Sequence, residues 1–164
     1  MSIKNFLVGA TILLSLGGCA TAYQNQGFTG GYSETQLDEN VFVVSFEGNG
    51  YTSKKRAAAF TMLRSAELTV SNGYEFFTII DSDSYTTKST YITPTTSHTT
   101  ANVSSFGNFA TGTATTTFSG GQTYAISKPS NTNTIVMFKE RPANVFTYNA
   151  KFIVKSLKAE YGIE

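Results

Sequence analysis

The chain has 164 residues, a formal net charge of +1 and only 14% charged residues. That balance gives no field to draw in nucleic acid or a strongly anionic partner, and a single cysteine excludes an internal disulfide. Thirteen Phe and nine Tyr, with no Trp, supply aromatic core material, while the Thr, Ser, Asn and Gly content favours strands and exposed loops.

In chain order, the first element is an export signal. Lys4 is the only charge among the first eighteen residues, and the apolar run Phe6 to Leu16 follows it. Eleven helical residues rise about 16 Å, roughly half of a bilayer core, so this run is too short to stay in a membrane as a span. It exits through Leu16-Gly17-Gly18-Cys19. An apolar residue, two small residues and a cysteine resemble the bacterial lipobox at every position. That resemblance implies cleavage before Cys19 and fatty acyl chains, such as palmitate, on its thiol. Glycines let the backbone enter a protease cleft extended, and a thiol supplies the thioether nucleophile. Residue 20 is Ala rather than Asp, which in the Gram-negative sorting rule favours the outer membrane, periplasm-facing.

Removing residues 1–18 leaves about 145 residues, enough for one domain with a real core. From Cys19 to Glu39 the Gly-, Gln- and Thr-rich composition predicts a flexible tether, with Tyr32 to Leu37 able to dock on the domain. The domain itself is expected over residues 40–164. Val41 to Phe46 reads as a central strand, and Glu47 to Gly50 as a turn. A helix is expected over about 53–72, capped by Thr52 or Ser53 and ended by Gly73. Its apolar stripe is Ala59, Met62, Leu63, Ala66 and Val70, with Phe60 at the edge. Tyr74 to Asp81 reads as the next strand, which a crossover would make parallel to the first.

Composition then shifts. Half of the residues in 82–123 are Ser or Thr, and the only charges there are Asp83 and Lys88. Disorder competes with Thr-rich strands, because Tyr85, Thr87, Ser89 and Tyr91 alternate, as do Thr111, Thr113, Thr115 and Thr117. A long hairpin or loop excursion is the expectation. Thr123 to Ser127 and Thr134 to Lys139 then read as a β-hairpin turning at Pro129 to Asn133. A closing helix is expected over about 143–161, with Phe146, Ala150, Ile153, Leu157 and Tyr161 buried and Lys151, Lys155 and Lys158 outside. Together these elements predict an α+β two-layer sandwich: a mainly antiparallel sheet with two helices on one face.

Chemistry-bearing residues are sparse. His98 is the only histidine, with neither a nucleophile-elbow pattern nor a metal-ligand spacing around it. Glu34, Asp38, Glu39 and Glu47 cluster near the start of the domain, where paired acids could act on glycan or simply be solvated. Lys54, Lys55 and Arg56 stand at a helix N-terminus, where free amides attract anions, although three cations there also oppose the helix dipole. They form the candidate anion-binding set, with solvation as the competing reading. No catalytic residue, metal or cofactor is assigned.

Gly31-Tyr32-Ser33-Glu34, Val43 to Thr52, Arg64-Ser65-Ala66-Glu67-Leu68-Thr69 and Gly73-Tyr74-Glu75-Phe76-Phe77 together resemble a family of uncharacterised proteobacterial cell-envelope lipoproteins. The likeness covers the lipobox and roughly residues 30–80, weakens through the Thr-rich stretch, and returns at Pro142 to Lys151. It implies an envelope location and a single domain, and adds no site residue beyond Cys19. The expected partners are the membrane, through the lipid, and an envelope protein or cell-wall component. A non-enzymatic binding or assembly-support role is the leading expectation, against a cell-wall glycan hydrolase using carboxylates or a surface adhesin using the Thr-rich stretch.

Overall fold

A computed structural model describes residues 20–164; Cys19 and the expected export signal lie outside the described residues. The elements are β1 (Gly31–Asp38), β2 (Val41–Glu47), α1 (Lys54–Ser71), β3 (Phe76–Ile92), β4 (Thr96–Phe106), β5 (Phe109–Ser119), β6 (Thr123–Phe138), β7 (Tyr148–Asn149) and α2 (Ala150–Tyr161). They divide into two units. Residues 20–87 and 127–164 form the first, and residues 88–126 form the second.

The first unit is an α+β two-layer sandwich. Its sheet runs in the order β1-β2-β6-β3-β7. β1 with β2, β2 with β6, and β3 with β7 all pair antiparallel. The Glu75 amide donates to the Phe138 carbonyl, and the Ser82 hydroxyl donates to the Asn133 side chain, so β3 also runs antiparallel to β6. β2 and β3 are therefore parallel, as the strand–helix–strand pattern suggests, but β6 is inserted between them.

Strict alternation in β2 explains the layering. Phe42, Val44 and Phe46 are buried on one face, together with Ile135 and Met137 of β6 and Phe77 of β3. α1 covers that face with Ala57, Phe60, Leu63, Ala66 and Leu68. Phe60, placed at the edge of the stripe by sequence, is its centre: its ring meets Phe46, Tyr23 and Tyr161 edge-on at 5.1, 5.3 and 5.1 Å. Val70, expected inside, is exposed. The same helix buries Thr61, Ser65 and Thr69, because each hydroxyl donates to the carbonyl four residues earlier and so enters the core satisfied.

Three expectations about this unit are corrected. Residues 20–38 are not a tether: β1 is an edge strand, Thr21 is 2% exposed, and Tyr23 packs on Tyr32 and Phe60. The hairpin at Pro129 does not exist, and β6 runs straight through it. Pro129 lies one residue past the last β2–β6 pair, Glu47 with Ser130, so its missing N–H costs no bond on that side. Finally, α2 begins at Ala150, not near residue 143. Asn149 caps it by accepting the Phe152 amide at 2.9 Å, Tyr148 and Asn149 pair with β3, and Phe146 is 74% exposed. The α1 boundary matches expectation, with Ser53 accepting the Arg56 amide.

The second unit holds the β4–β5 hairpin, which pairs without a break from Thr96↔Ser119 to Phe106↔Phe109. Gly107, at φ 61°, makes the two-residue turn. A neck connects it to the ends of β3 and β6, where the Thr93 amide donates to the Gln122 carbonyl at 2.9 Å.

Candidate functional site: the N-terminal seat and the hairpin arm

The Glu47–Thr52 turn looks in sequence like a ligand loop, but it receives the protein's own N-terminal segment. The Thr21 amide donates to Thr52 Oγ1 at 3.0 Å. Thr21 Oγ1 donates to the Thr29 carbonyl at 2.8 Å and accepts the Asn49 amide at 2.8 Å. Asn49 Oδ1 in turn accepts from Thr52 Oγ1 and the Tyr51 amide, which fixes the turn. Gly30, at φ 97°, completes the seat: a Cβ there would lie 2.2 Å from the Glu47 carbonyl oxygen.

Next to this turn is a cavity of about 250 Å³ lined by Glu47, Gly48, Tyr85, Thr87, Lys128 and Pro129. Tyr85 and Thr87 are the last part of β3 inside the first unit, and Lys128 is where β6 returns to it. A second, more apolar groove of about 320 Å³ lies along α1 and α2, between Val70 and Val154, with Lys151 and Lys155 among its lining.

The predicted cations do not converge. Arg56 places its guanidinium over the rings of Phe60 and Tyr161, at 5.0 and 5.7 Å, which is a packing role. Lys55 lies 3.5 Å from Glu160, with both side chains exposed, and Lys54 is exposed at the start of α1. These contacts join α1 to α2 and build no common anion seat.

The acids also part company. Glu34 takes a bidentate bond from Arg64 at 2.6 and 3.2 Å, while Asp38 accepts the Glu39 amide. Glu67 accepts from the Tyr23 hydroxyl at 2.5 Å and lies 3.3 Å from Lys158. Burial works against the charge on Arg64, but the Glu34 hydrogen bond and carboxylate charge hold its pKa above the ordinary value. Burial, and then the Glu67 bond, push the Tyr23 phenol up. The Glu34–Arg64 pair clamps β1 to α1. His98 lies on β4, exposed, opposite Thr117. Among the described residues no group of three or more His, Cys, Asp or Glu could hold a metal ion. No helix among them is long and apolar enough to cross a membrane.

The hairpin is the most unusual surface. Every residue of β4 and β5 is exposed, with Phe106 and Phe109 at 91% and 82%. The register sorts its side chains into two faces. One carries Ala101, Val103, Ala110, Gly112, Ala114 and Phe118, with Ser97 and Ser105 among them. Its central hydroxyls, Thr99 and Thr116, bond each other at 2.9 Å. The other carries Thr100 opposite Thr115, Asn102 opposite Thr113 and Ser104 opposite Thr111, together with His98 and, at the turn, Phe106 opposite Phe109. Sequence inspection caught half of this, the alternating threonines of β5. The matching alternation in β4 becomes visible only when Gly107-Asn108 is taken as the turn. Comparison with protein-family models, curated proteins and solved structures finds no match to this chain.

Proposed function

We propose that this chain is a bacterial cell-envelope lipoprotein, held by acyl chains on Cys19, whose domain is a non-enzymatic binding or assembly module that works through its hairpin arm. Membership of the proteobacterial lipoprotein family and an outer-membrane, periplasm-facing location belong to the same proposal. The observation that carries it is the arm. Two eleven-residue strands bury none of their side chains, yet the sequence keeps an unbroken register and a two-faced pattern through both. Isolated two-stranded sheets are marginal in water, so a sequence that builds one this regular points to a partner that covers it. The lipobox supports the anchor, and Thr21, seated two residues beyond Cys19, supports a domain held close to the lipid.

Photo-crosslinking in cells tests this reading. A photoreactive residue at Phe106 or Thr113 is expected to trap a defined envelope partner, while one at exposed Lys54 is not. Alongside it, Cys19→Ser should abolish fatty-acid labelling and release the protein from washed membranes. Equal, diffuse crosslinking from all three positions would refute the arm as the working surface.

A further inference from the structure

We infer that the sheet face left open by the helices carries a binding site for a zwitterionic amino-acid headgroup, an ammonium and a carboxylate on one carbon. Glu47 takes the ammonium and Lys128 the carboxylate. The site lies wholly in the first unit and goes beyond the proposed function, resting neither on the arm nor on the lipid.

The register builds it. Glu47 and Ser130 are the last β2–β6 pair, so their side chains share one face of the sheet. Phe46, the neighbour of Glu47, is buried against Phe60 of α1, so alternation turns Glu47 and Ser130 to the opposite face. There they line the cavity of about 250 Å³ with Lys128, Tyr85 and Thr87. Pockets for drug-sized ligands measure roughly 300–1,000 Å³, so the occupant here is small. The wall is set in advance. The Gly48 amide donates to the Pro129 carbonyl at 2.8 Å, and the Asn49 amide is held by Thr21.

Two observations point to a ligand. Ser130 is 6% exposed, and its hydroxyl is enclosed without a hydrogen-bond partner among the described residues. Buried polar groups are paired as a rule, and a polar ligand at this wall supplies the missing partner. The other observation is charge. Glu47 and Lys128 are both exposed and line one cavity, yet among the described residues neither forms an ion pair, with the other or with any third group. Glu34, Glu67 and Glu160, by contrast, all pair with cations.

These charges select the ligand. A simple anion such as phosphate meets Lys128 but is repelled by Glu47, and a simple cation meets the reverse. A neutral sugar gains nothing from opposite charges side by side. A headgroup with both charges uses both, and hydrogen bonds between charged groups are the strong ones. The half-exposed ring of Tyr85, with Pro129, gives the ligand's carbon atoms an apolar wall. Free amino acids carry this headgroup, and so does the free end of a diamino acid in a cell-wall peptide. A second cavity of about 100 Å³ also borders Glu47, Gly48 and Lys128, with the fully exposed Phe28 in its lining. It gives a peptide room to run past the charges onto an aromatic surface, which a free amino acid does not reach.

The test is ligand-observed NMR titration of the full-length chain in detergent micelles. Alanine is expected to bind, with alaninamide (no carboxylate) and N-acetylalanine (no ammonium) at least about tenfold weaker. Glu47→Gln should bring alanine down to the level of N-acetylalanine, and Lys128→Gln to the level of alaninamide. Both side chains are exposed, so Tm should hold within about 2 °C. A cell-wall peptide with a free diamino-acid end should bind at least about tenfold tighter than alanine and lose that gain in Phe28→Ala. Its cross-linked form, with that amine acylated, should fall to the level of N-acetylalanine. A peptide no tighter than alanine would assign the site to free amino acids. The inference is overturned if wild type binds alanine no better than the two controls, or binds inorganic phosphate or N-acetylglucosamine as tightly. Failure to bind any of them at about 10 mM would overturn it as well.

Discussion

Replacing Thr21 by Val tests whether the segment after Cys19 is docked or loose. Valine has nearly the same shape, so packing is kept and only the hydroxyl is lost. That hydroxyl donates to the Thr29 carbonyl and accepts the Asn49 amide, both at 2.8 Å, in a site where Thr21 is 2% exposed. Each bond contributes about 1 kcal/mol net, and a donor or acceptor left buried without a partner costs about 1–3 kcal/mol. Water can reach the partly buried Asn49 amide, so we expect a loss of about 2–3 kcal/mol. For a domain of this size that corresponds to roughly 5–10 °C in Tm. The amide of residue 21 still donates to Thr52 Oγ1, so the segment should loosen without detaching. Urea unfolding of the full-length protein reads the first effect. Limited proteolysis between residues 20 and 30 reads the second, with cleavage several-fold faster in the variant. An unchanged midpoint together with unchanged, rapid cleavage in both proteins would mean that the segment is a free tether, and the reasoning would fail.

Other perturbations follow from the same contacts. The folded Tyr23 phenol is held neutral above its ordinary pKa of 10.0, so folding retains a proton that the unfolded chain gives up near pH 10. Its contribution is present below pH 10 and is lost as pH rises beyond it. Tyr23→Phe should cost about 1 kcal/mol near neutrality and flatten the alkaline limb of a stability–pH curve. Arg56→Gln should lower stability by about 1 kcal/mol by removing the guanidinium from Phe60 and Tyr161, whereas Lys54→Gln should stay within about 0.5 kcal/mol. Equal losses in urea melts would restore the three cations as one unit. Gly30→Ala should be among the most damaging single changes in the chain, because it combines a positive φ with a Cβ 2.2 Å from a backbone oxygen; soluble yield and Tm both check it.

How much was legible depended on where each residue finds its partner. Val41 to Phe46 announced β2 because alternation and β-branching are local, and Ser53 announced α1 because its cap acts three residues away. Thr21 announced nothing: its partners are 8, 28 and 31 residues distant, and a Gly- and Gln-rich neighbourhood suggests a linker when read alone. Thr61, Ser65 and Thr69 were hidden differently. Their hydroxyls count as polar in any periodicity, yet each is satisfied within its own helix and packs as an apolar group would. Asn149 shows the limit of apolar spacing. Phe146 continues the spacing of the following helix, but residues 143–149 are mostly weak helix formers, and strand pairing of Tyr148 with Phe77 and the Asn149 cap set the helix start at Ala150. The arm was half legible, since threonine alternation signals a strand while its partner depends on which Gly closes the turn.

The docked N-terminus also bears on what the proposed lipid anchor would do. Acyl chains contribute about 0.8 kcal/mol per buried methylene, which holds a protein on a membrane but leaves a tethered domain free to tumble. With Thr21 seated two residues from Cys19, lipid on that cysteine would orient the first unit as well as hold it, keeping the Glu47–Thr52 turn toward the bilayer. Loosening that seat by Thr21→Val, with Cys19 untouched, should then leave the protein on the membrane and free the first unit to tumble, which polarised fluorescence from a labelled first unit on vesicles would read as a loss of orientation.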